Sequence, residues 1–407
     1  MLLYLLKRQP RRRCPMKKTK TFLLLAAACT AALLLASCGG APASETAPST
    51  GSSTAESTAA EISVEAPTEV PETEAAPDIP PEPGLVRSAL TYAWIPEAEA
   101  EKRPIAVMFP IDRKAQPQYG ISRAEIFYEI MEEGSMSRQM GILQNWEDLA
   151  RIGNIRSIRD YFIYAALEWD SIIVHFGGPE IFVKPLLTRS DVENINGVGG
   201  AMGSSYNAFF RIPKNSRSEH TAYTDCERLQ AAIEKAGFSR THRQDCWKKE
   251  HWKFTPTERP YSFEDHPEAA PAAEIDLKSC YPVTRPAMHY DPETRLYYRS
   301  IYGKPQVDAA TGEQLAFSNI LVQSAVFGRH PNTEYLYFHM LDSVQDGWYM
   351  TAGKILHVHW IRNSDYEPTK FYDDNGEEIT LNSGKTMVFV TREGVDSFIA
   401  DDVVYGV

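Results

Sequence analysis

Two arginines and an aspartate crowd the densest segment of the chain, Ile152-Gly153-Asn154-Ile155-Arg156-Ser157-Ile158-Arg159-Asp160. The helical pattern YFIYAALEW follows directly, so Arg156 and Arg159 fall at a helix start, with Ser157 and Asp160 spaced as a capping box. A helix start already carries about half a positive charge, so two arginines there need a negative partner. Two arrangements supply one. Either Asp112, Glu129 or Glu133 forms an internal ion-pair network with them, or guanidinium and backbone N–H groups jointly hold a bound anion. In the second arrangement Arg138 and Arg211 extend the anion site, and Asp112, Asp160 and His220 are the acid/base candidates. A hydrogen-bonded structural role competes with acid/base work at His220, and His175 on an apolar strand reads as a core residue.

A second constellation is His357-x-His359. Residues at i and i+2 of a strand share a face, so the two imidazoles can chelate a metal if a third ligand such as His339 joins them. No cysteine or acidic ligand falls at a telling spacing, so a polar sheet face is the expectation and no metal is assigned. No G-x-S-x-G elbow and no phosphate-binding loop occur, and Met202 stands where the last glycine of a G-x-G-x-x-G fingerprint belongs after Gly197 and Gly199. No cofactor is expected. Cys226, Cys246 and Cys280 are odd in number, so at most one disulfide forms, and buried free thiols are the default.

The elements that must position these residues are legible in the patterning. Arg103–Phe109 predicts a short apolar strand leading to Asp112, and Ala124–Ile130 and Gln139–Trp146 predict two more. Ser171–Phe176 predicts another strand, ending at Gly177-Gly178. Asp225–Gly237 predicts an amphipathic helix with Leu229, Ala232, Ile233 and Ala236 on one side. From about Asp276 strands dominate, separated by turn signals such as Asp346-Gly347 and Asn375-Gly376. The expected fold is therefore α+β: an N-terminal mixed sheet with helices over residues 87–275, with a linking helix, and a mostly antiparallel β-rich domain over 276–407.

The front of the chain is organised differently. Met16 opens a compact export signal: Lys17, Lys18 and Lys20, then sixteen residues from Thr21 to Ala36 that are apolar apart from two threonines. A span needs about 20 apolar residues, so this run is a cleavable signal ending at residue 37. The preceding Met1–Pro15 fits no part of it and points to Met16 as the start. Leu35-Ala36-Ser37-Cys38 resembles the bacterial lipobox, which implies lipidation of Cys38 and anchoring at the outer face of the cytoplasmic membrane. One acyl chain holds only reversibly, whereas two hold firmly.

Residues 38–86 hold nine acidic residues and no Lys or Arg, among Ala, Pro, Ser and Thr; such composition predicts a disordered stalk. As a flexible coil it spans roughly 40 Å, and fully extended about 150 Å. Much of the net charge of −12 lies there. Acidity argues against nucleic acid as a partner. The partners left are the membrane itself, through the anchor, a cell-wall polymer, or a membrane protein.

Several long stretches resemble the YerB-like lipoprotein family, whose two domains are of unknown function. They are RPIAVM, QPQYGISRAEIFYEIMEEGSMSR, IGNIRSIRDYFIYAALEWDSIIVHFGG and SRSEHTAYT, then YRSIYGKPQVDAATGEQLAFSNILVQ and GKILHVHWIRNSDYEPTKFYDDNGEEITLNSGKT. The chain departs from the family where Phe109-Pro110-Ile111-Asp112 replaces an Ile-Asp-Asn pattern and Thr221 replaces an Asn. The resemblance implies an α+β fold and an envelope location, and no activity. The functional expectation is a surface lipoprotein that binds or scaffolds in the bacterial envelope, with catalysis less favoured. The alternative is an enzyme or carrier acting on an anionic envelope substrate, a lipid-linked phosphate or wall polymer.

Overall fold

The computed structural model describes residues 78–213 and 218–407. Eleven strands build one large sheet: β1 Ile105–Phe109, β2 Ile126–Met131, β3 Ser137–Leu143, β4 Ile172–His175, β5 Asn194–Asn196, β6 Ala270–Pro271, β7 Asn319–Ala325, β8 Gln345–Thr351, β9 Lys354–Ile361, β10 Lys370–Tyr372 and β11 Thr386–Arg392. Their order is β6-β9-β8-β7-β11-β2-β3-β1-β4-β5, with β10 also on β9. Among the described residues the helices of eight residues or more are α1 Asp160–Leu167, α2 Glu180–Leu187 and α3 Cys226–Ala236.

The N-terminal part of the sheet is mixed: β1 is antiparallel to β3 and parallel to β4, and β4 is parallel to β5. All of β1, IAVMF, is buried, as expected of a central strand covered on both faces. Toward the C-terminus β7, β8 and β9 form antiparallel neighbours. Gly347 of β8 is required there, since a Cβ would meet the Val322 carbonyl oxygen of β7 at 2.5 Å.

The two halves share this sheet. β11 lies parallel to β7 on one side and to β2 on the other, with Val388 opposite both Leu321 and Tyr128. The chain from Asp78 onward forms one compact unit. Residues ahead of Asp276 also join the later half: 253–255 pairs with 380–382, and β6 with β9. The acidic stretch likewise ends inside the folded body, where Asp78 accepts from Arg87 Nη2 at 2.7 Å and from Tyr92 Oη at 2.9 Å, and Leu85–Arg87 pairs with Trp94–Pro96.

A second, seven-stranded antiparallel sheet includes Glu274–Asp276, Ala287–Asp291, Leu296–Ile301 and Ser397–Ala400. Along Leu296–Ile301 burial alternates, so Tyr297, Arg299 and Ile301 face inward. Arg299 there forms a fully buried ion pair with Glu129 of β2. Its Nε donates to Gln306 Oε1 at 2.7 Å, and the Tyr281 hydroxyl lies 2.9 Å from the Glu129 carbonyl oxygen.

The α3 helix follows its signals. Asp225 caps it by accepting from Arg228 N at 2.9 Å, Gly237 ends it at φ 72°, and Leu229, Ala232 and Ile233 are buried. Ala236 is only half-buried. At α1 the expected capping box is not formed: Arg159, in extended backbone at φ −123°, is the N-cap residue, and it makes no side-chain cap bond. Cys226, Cys246 and Cys280 form no disulfide with one another, and the last two are buried. Among the described residues no helix is long and apolar enough to cross a membrane.

Candidate functional site

The segment 154–158 is laid across the C-terminal ends of the parallel strands β1 and β4. Arg156 N donates to Met108 O at 2.9 Å, Phe176 N donates to Arg156 O at 2.9 Å, and Ile158 N donates to Gly177 O at 3.0 Å. From this segment Arg159 reaches the loop after β2, where Glu132 and Glu133 stand.

Arg138 and Arg159 converge on those carboxylates. Arg138 Nη2 donates to Glu132 Oε1 at 2.7 Å, and Arg138 Nη1 to Ser157 O at 2.8 Å. Arg159 donates through Nε to Glu133 Oε2 at 3.0 Å, forms a second bond to Glu133, and lies 3.0 Å from Glu132 Oε2. Its guanidinium also stacks 5.4 Å over the Tyr335 ring. Both arginines and Glu132 are buried. Burial pushes the Glu132 carboxyl up and the Arg138 guanidinium down, whereas the bond to Arg159 overcomes burial and holds Glu133 low. Of the partners expected for these arginines, Glu133 is found, joined by Glu132. Glu129 is engaged by Arg299, and Asp112 faces His220.

Arg156 stands apart. Among the described residues it makes no ion pair, and its Nε is buried without a hydrogen-bond partner. It is near enough to exert a pull on Glu132. Three arginines (138, 156, 159) against two glutamates (132, 133) leave one positive charge, 3 − 2 = +1, and Arg156 carries it.

The remaining candidates scatter. His220 is buried, with Nε2 3.9 Å from Asp112 Oδ1 and 4.0 Å from Glu219 Oε1. Asp160 accepts instead from His330 Nε2 at 3.0 Å, although burial raises its carboxyl against that pull. Arg211 is exposed; its Nη1 donates to Thr221 Oγ1 at 2.9 Å and its guanidinium lies 4.8 Å over Phe176. His175 is the core residue expected of it: Nδ1 is 2.8 Å from Gly177 O and Nε2 3.2 Å from Asn194 Oδ1. Cys38 lies outside the described residues.

His357 and His359 do share a face of β9, and a carboxylate meets them there. Asp374, from the turn after β10, places Oδ1 2.7 Å from His357 Nδ1 and 3.1 Å from His359 Nε2. His339, the third ligand the histidine pattern suggested, is not part of this group. Asp374 was missed because it becomes a neighbour only when β10 pairs with β9. The available signal was the Asp-Asp-Asn-Gly turn 373–376 closing that strand.

Comparison with known proteins agrees with this architecture. Residues 90–239 match the N-terminal domain, and residues 276–388 the C-terminal domain, of the family described as "Protein of unknown function (DUF3048)". The chain is 27% identical over 259 residues to "Putative lipoprotein YerB" of Bacillus subtilis (strain 168), covering 62% of this chain and 71% of that protein. The crystal structure of the YerB protein from Bacillus subtilis superposes with a TM-score of 0.65 at 23% identity, over 77% of this chain and 99% of the other, which speaks for the fold. With both domain types in order and the α+β architecture shared, the chain belongs to the YerB-like family of two-domain DUF3048 proteins.

Proposed function

We propose that the chain is a lipid-anchored, non-catalytic module that binds a wall component or a membrane-protein partner at the outer face of the cytoplasmic membrane. The observation that carries this reading is the internal pairing of the charged residues best suited to chemistry. Arg138 and Arg159 are neutralised by Glu132 and Glu133, and Asp160 is held by His330. Groups committed to one another hold a fold and do not wait for a substrate. The lipobox at Cys38 and the acidic, proline-rich stretch behind it supply anchor and reach. In the test, the full chain is cross-linked in detergent-solubilised membranes and incubated with isolated wall material. Saturable retention by either supports the reading; no specific partner together with no wall binding overturns it.

One observation favours a second reading, a site for an anionic envelope substrate such as a lipid-linked phosphate or wall polymer. Arg156 is the cation of its cluster left without an anion, and a phosphate oxygen is a fitting partner for a guanidinium. Unchanged affinity for polyprenyl phosphate in Arg156→Ala removes this version and leaves the first untouched.

A further inference from the structure

We propose that His357, His359 and Asp374 form a binding site for one divalent cation of the zinc class, open to solvent on the face of the large sheet. This goes beyond the binding role above and does not depend on it. Two histidines project from the same face of β9 because they are two residues apart. The pairing of His359 with Tyr372 of β10 then carries the following turn over that face. The turn is braced from below. Asp373, buried, accepts from Asn375 N at 3.0 Å and from Glu377 N at 2.7 Å, and Gly376 turns at φ 87°. Asp374 is thereby held with its carboxylate directed back at the imidazoles. One ligand atom from each of the three residues lies within 4.8 Å of the others, a separation that small side-chain rotations close to the about 2.0–2.2 Å metal–ligand bonds of zinc.

The surroundings of His359 give a second geometric reason. Its Nδ1 lies 2.9 Å from Asp346 Oδ1, and its Nε2 lies 3.1 Å from Asp374 Oδ1. A cation seated between Nε2, His357 Nδ1 and Asp374 is bonded by all three, and leaves Nδ1–H of His359 to donate to Asp346. Asp346 is then the outer carboxylate that takes the Nδ1 proton, fixes the tautomer and raises the basicity of the ligating nitrogen. Its place is set by register, since Asp346 of β8 lies directly opposite His359.

The donor set selects the cation. Two imidazoles and one carboxylate suit zinc and its neighbours, while Mg²⁺ and Ca²⁺ prefer oxygen alone. Three protein ligands leave a fourth position, as in zinc sites that bind water or an incoming group. The half-exposed histidines and the 62% exposed Asp374 side chain keep that position accessible. The exposed pair His289–Glu274 has a single imidazole, and serves as an internal control for loose surface binding.

The test is a Zn²⁺ titration of the chelator-stripped full chain in detergent, by calorimetry and by metal analysis after gel filtration. One zinc per chain is expected. His357→Ala and Asp374→Ala should each weaken it at least a hundredfold; Asp374→Ala, whose side chain is exposed, should leave the metal-free melting temperature unchanged. Asp346→Asn should weaken it by about 10–100-fold, and His289→Ala should change nothing. Zinc should raise the melting temperature of the native chain and not that of His357→Ala. Binding that is absent, that survives His357→Ala and Asp374→Ala together, or that Mg²⁺ reproduces at equal affinity overturns the proposal.

Discussion

Arg299 and Glu129 stand 170 residues apart in the chain and meet as an ion pair with no exposed surface. Gln306 and Ser137 bond to the same pair, so its charges are surrounded by satisfied polar groups. Through it the second sheet is joined to β2, the strand that borders β11 on the opposite half of the main sheet.

A buried pair of this kind is costly to break and less costly to replace. Arg299→Met alone should destabilise the chain by roughly 3–5 kcal/mol in urea unfolding, because Glu129 is left charged and buried. Arg299→Met with Glu129→Leu should recover most of that loss. A single variant within about 1 kcal/mol of the native chain would show that the pair does not tie the sheets together.

Glu168 should dominate part of the acid limb. It accepts from Tyr128 Oη at 2.6 Å and from Thr369 Oγ1 at 2.7 Å. Burial alone pushes its carboxyl up, but Arg362 and His251 outweigh that and hold it at about 2. The folded value lies below the ordinary one of about 4.3. Its contribution is therefore full above about pH 5 and is lost as the pH falls toward 2, a total of about 3 kcal/mol. Glu168→Gln should lower stability at pH 7 and flatten the decline between pH 5 and 2. Parallel stability curves for the two chains would contradict the assignment.

Glu125 shifts the other way, and its sign is opposite. Burial raises it to about 7, against the Gln144 amide that donates to it at 2.7 Å and the pull of Lys385. A raised carboxyl contributes stability below about pH 4 that is lost as the pH rises through 7. Glu125→Gln should therefore gain stability relative to the native chain between pH 4 and pH 8, measured by thermal melts at both. A larger deficit at pH 8 would overturn this.

The arginines of the cluster should separate by role. Arg138→Ala leaves Glu132 buried with half its compensation and should cost roughly 3 kcal/mol. Arg156→Ala removes a cation that has no ion pair and should cost less than about 1 kcal/mol. Equal losses would mean that Arg156 holds the fold as Arg138 does.

Much of this architecture is legible in residue patterns, and the failures have physical reasons. Alternation in Leu296–Ile301 and the apolar run of β1 announce themselves because strand periodicity is local. Helix α2 is hidden by Pro185 in its interior. The insertion of β11 between β7 and β2 is hidden because parallel pairing is a long-range choice that no local pattern records. Arg159 at a helix start needs a negative partner, and of Asp112, Glu129 and Glu133 only Glu133 supplies it. Ser157 fails as a cap because Arg159, not Ser157, occupies the N-cap position. Asp160, the other half of that pattern, is drawn off by His330, 170 residues away. The two histidines of β9 were visible at once, but their carboxylate lies beyond the next strand.

The most direct measurement of the central claim is binding of the full chain to isolated wall polymer and to polyprenyl phosphate, beside Arg156→Ala at matched melting temperature, with product formation monitored throughout. A non-catalytic module that binds a wall component predicts saturable binding to the wall polymer, and one that binds a membrane protein predicts none; either predicts no chemical change in either ligand. Turnover of either ligand that Arg156→Ala abolishes would contradict it and make the arginine cluster part of an enzyme.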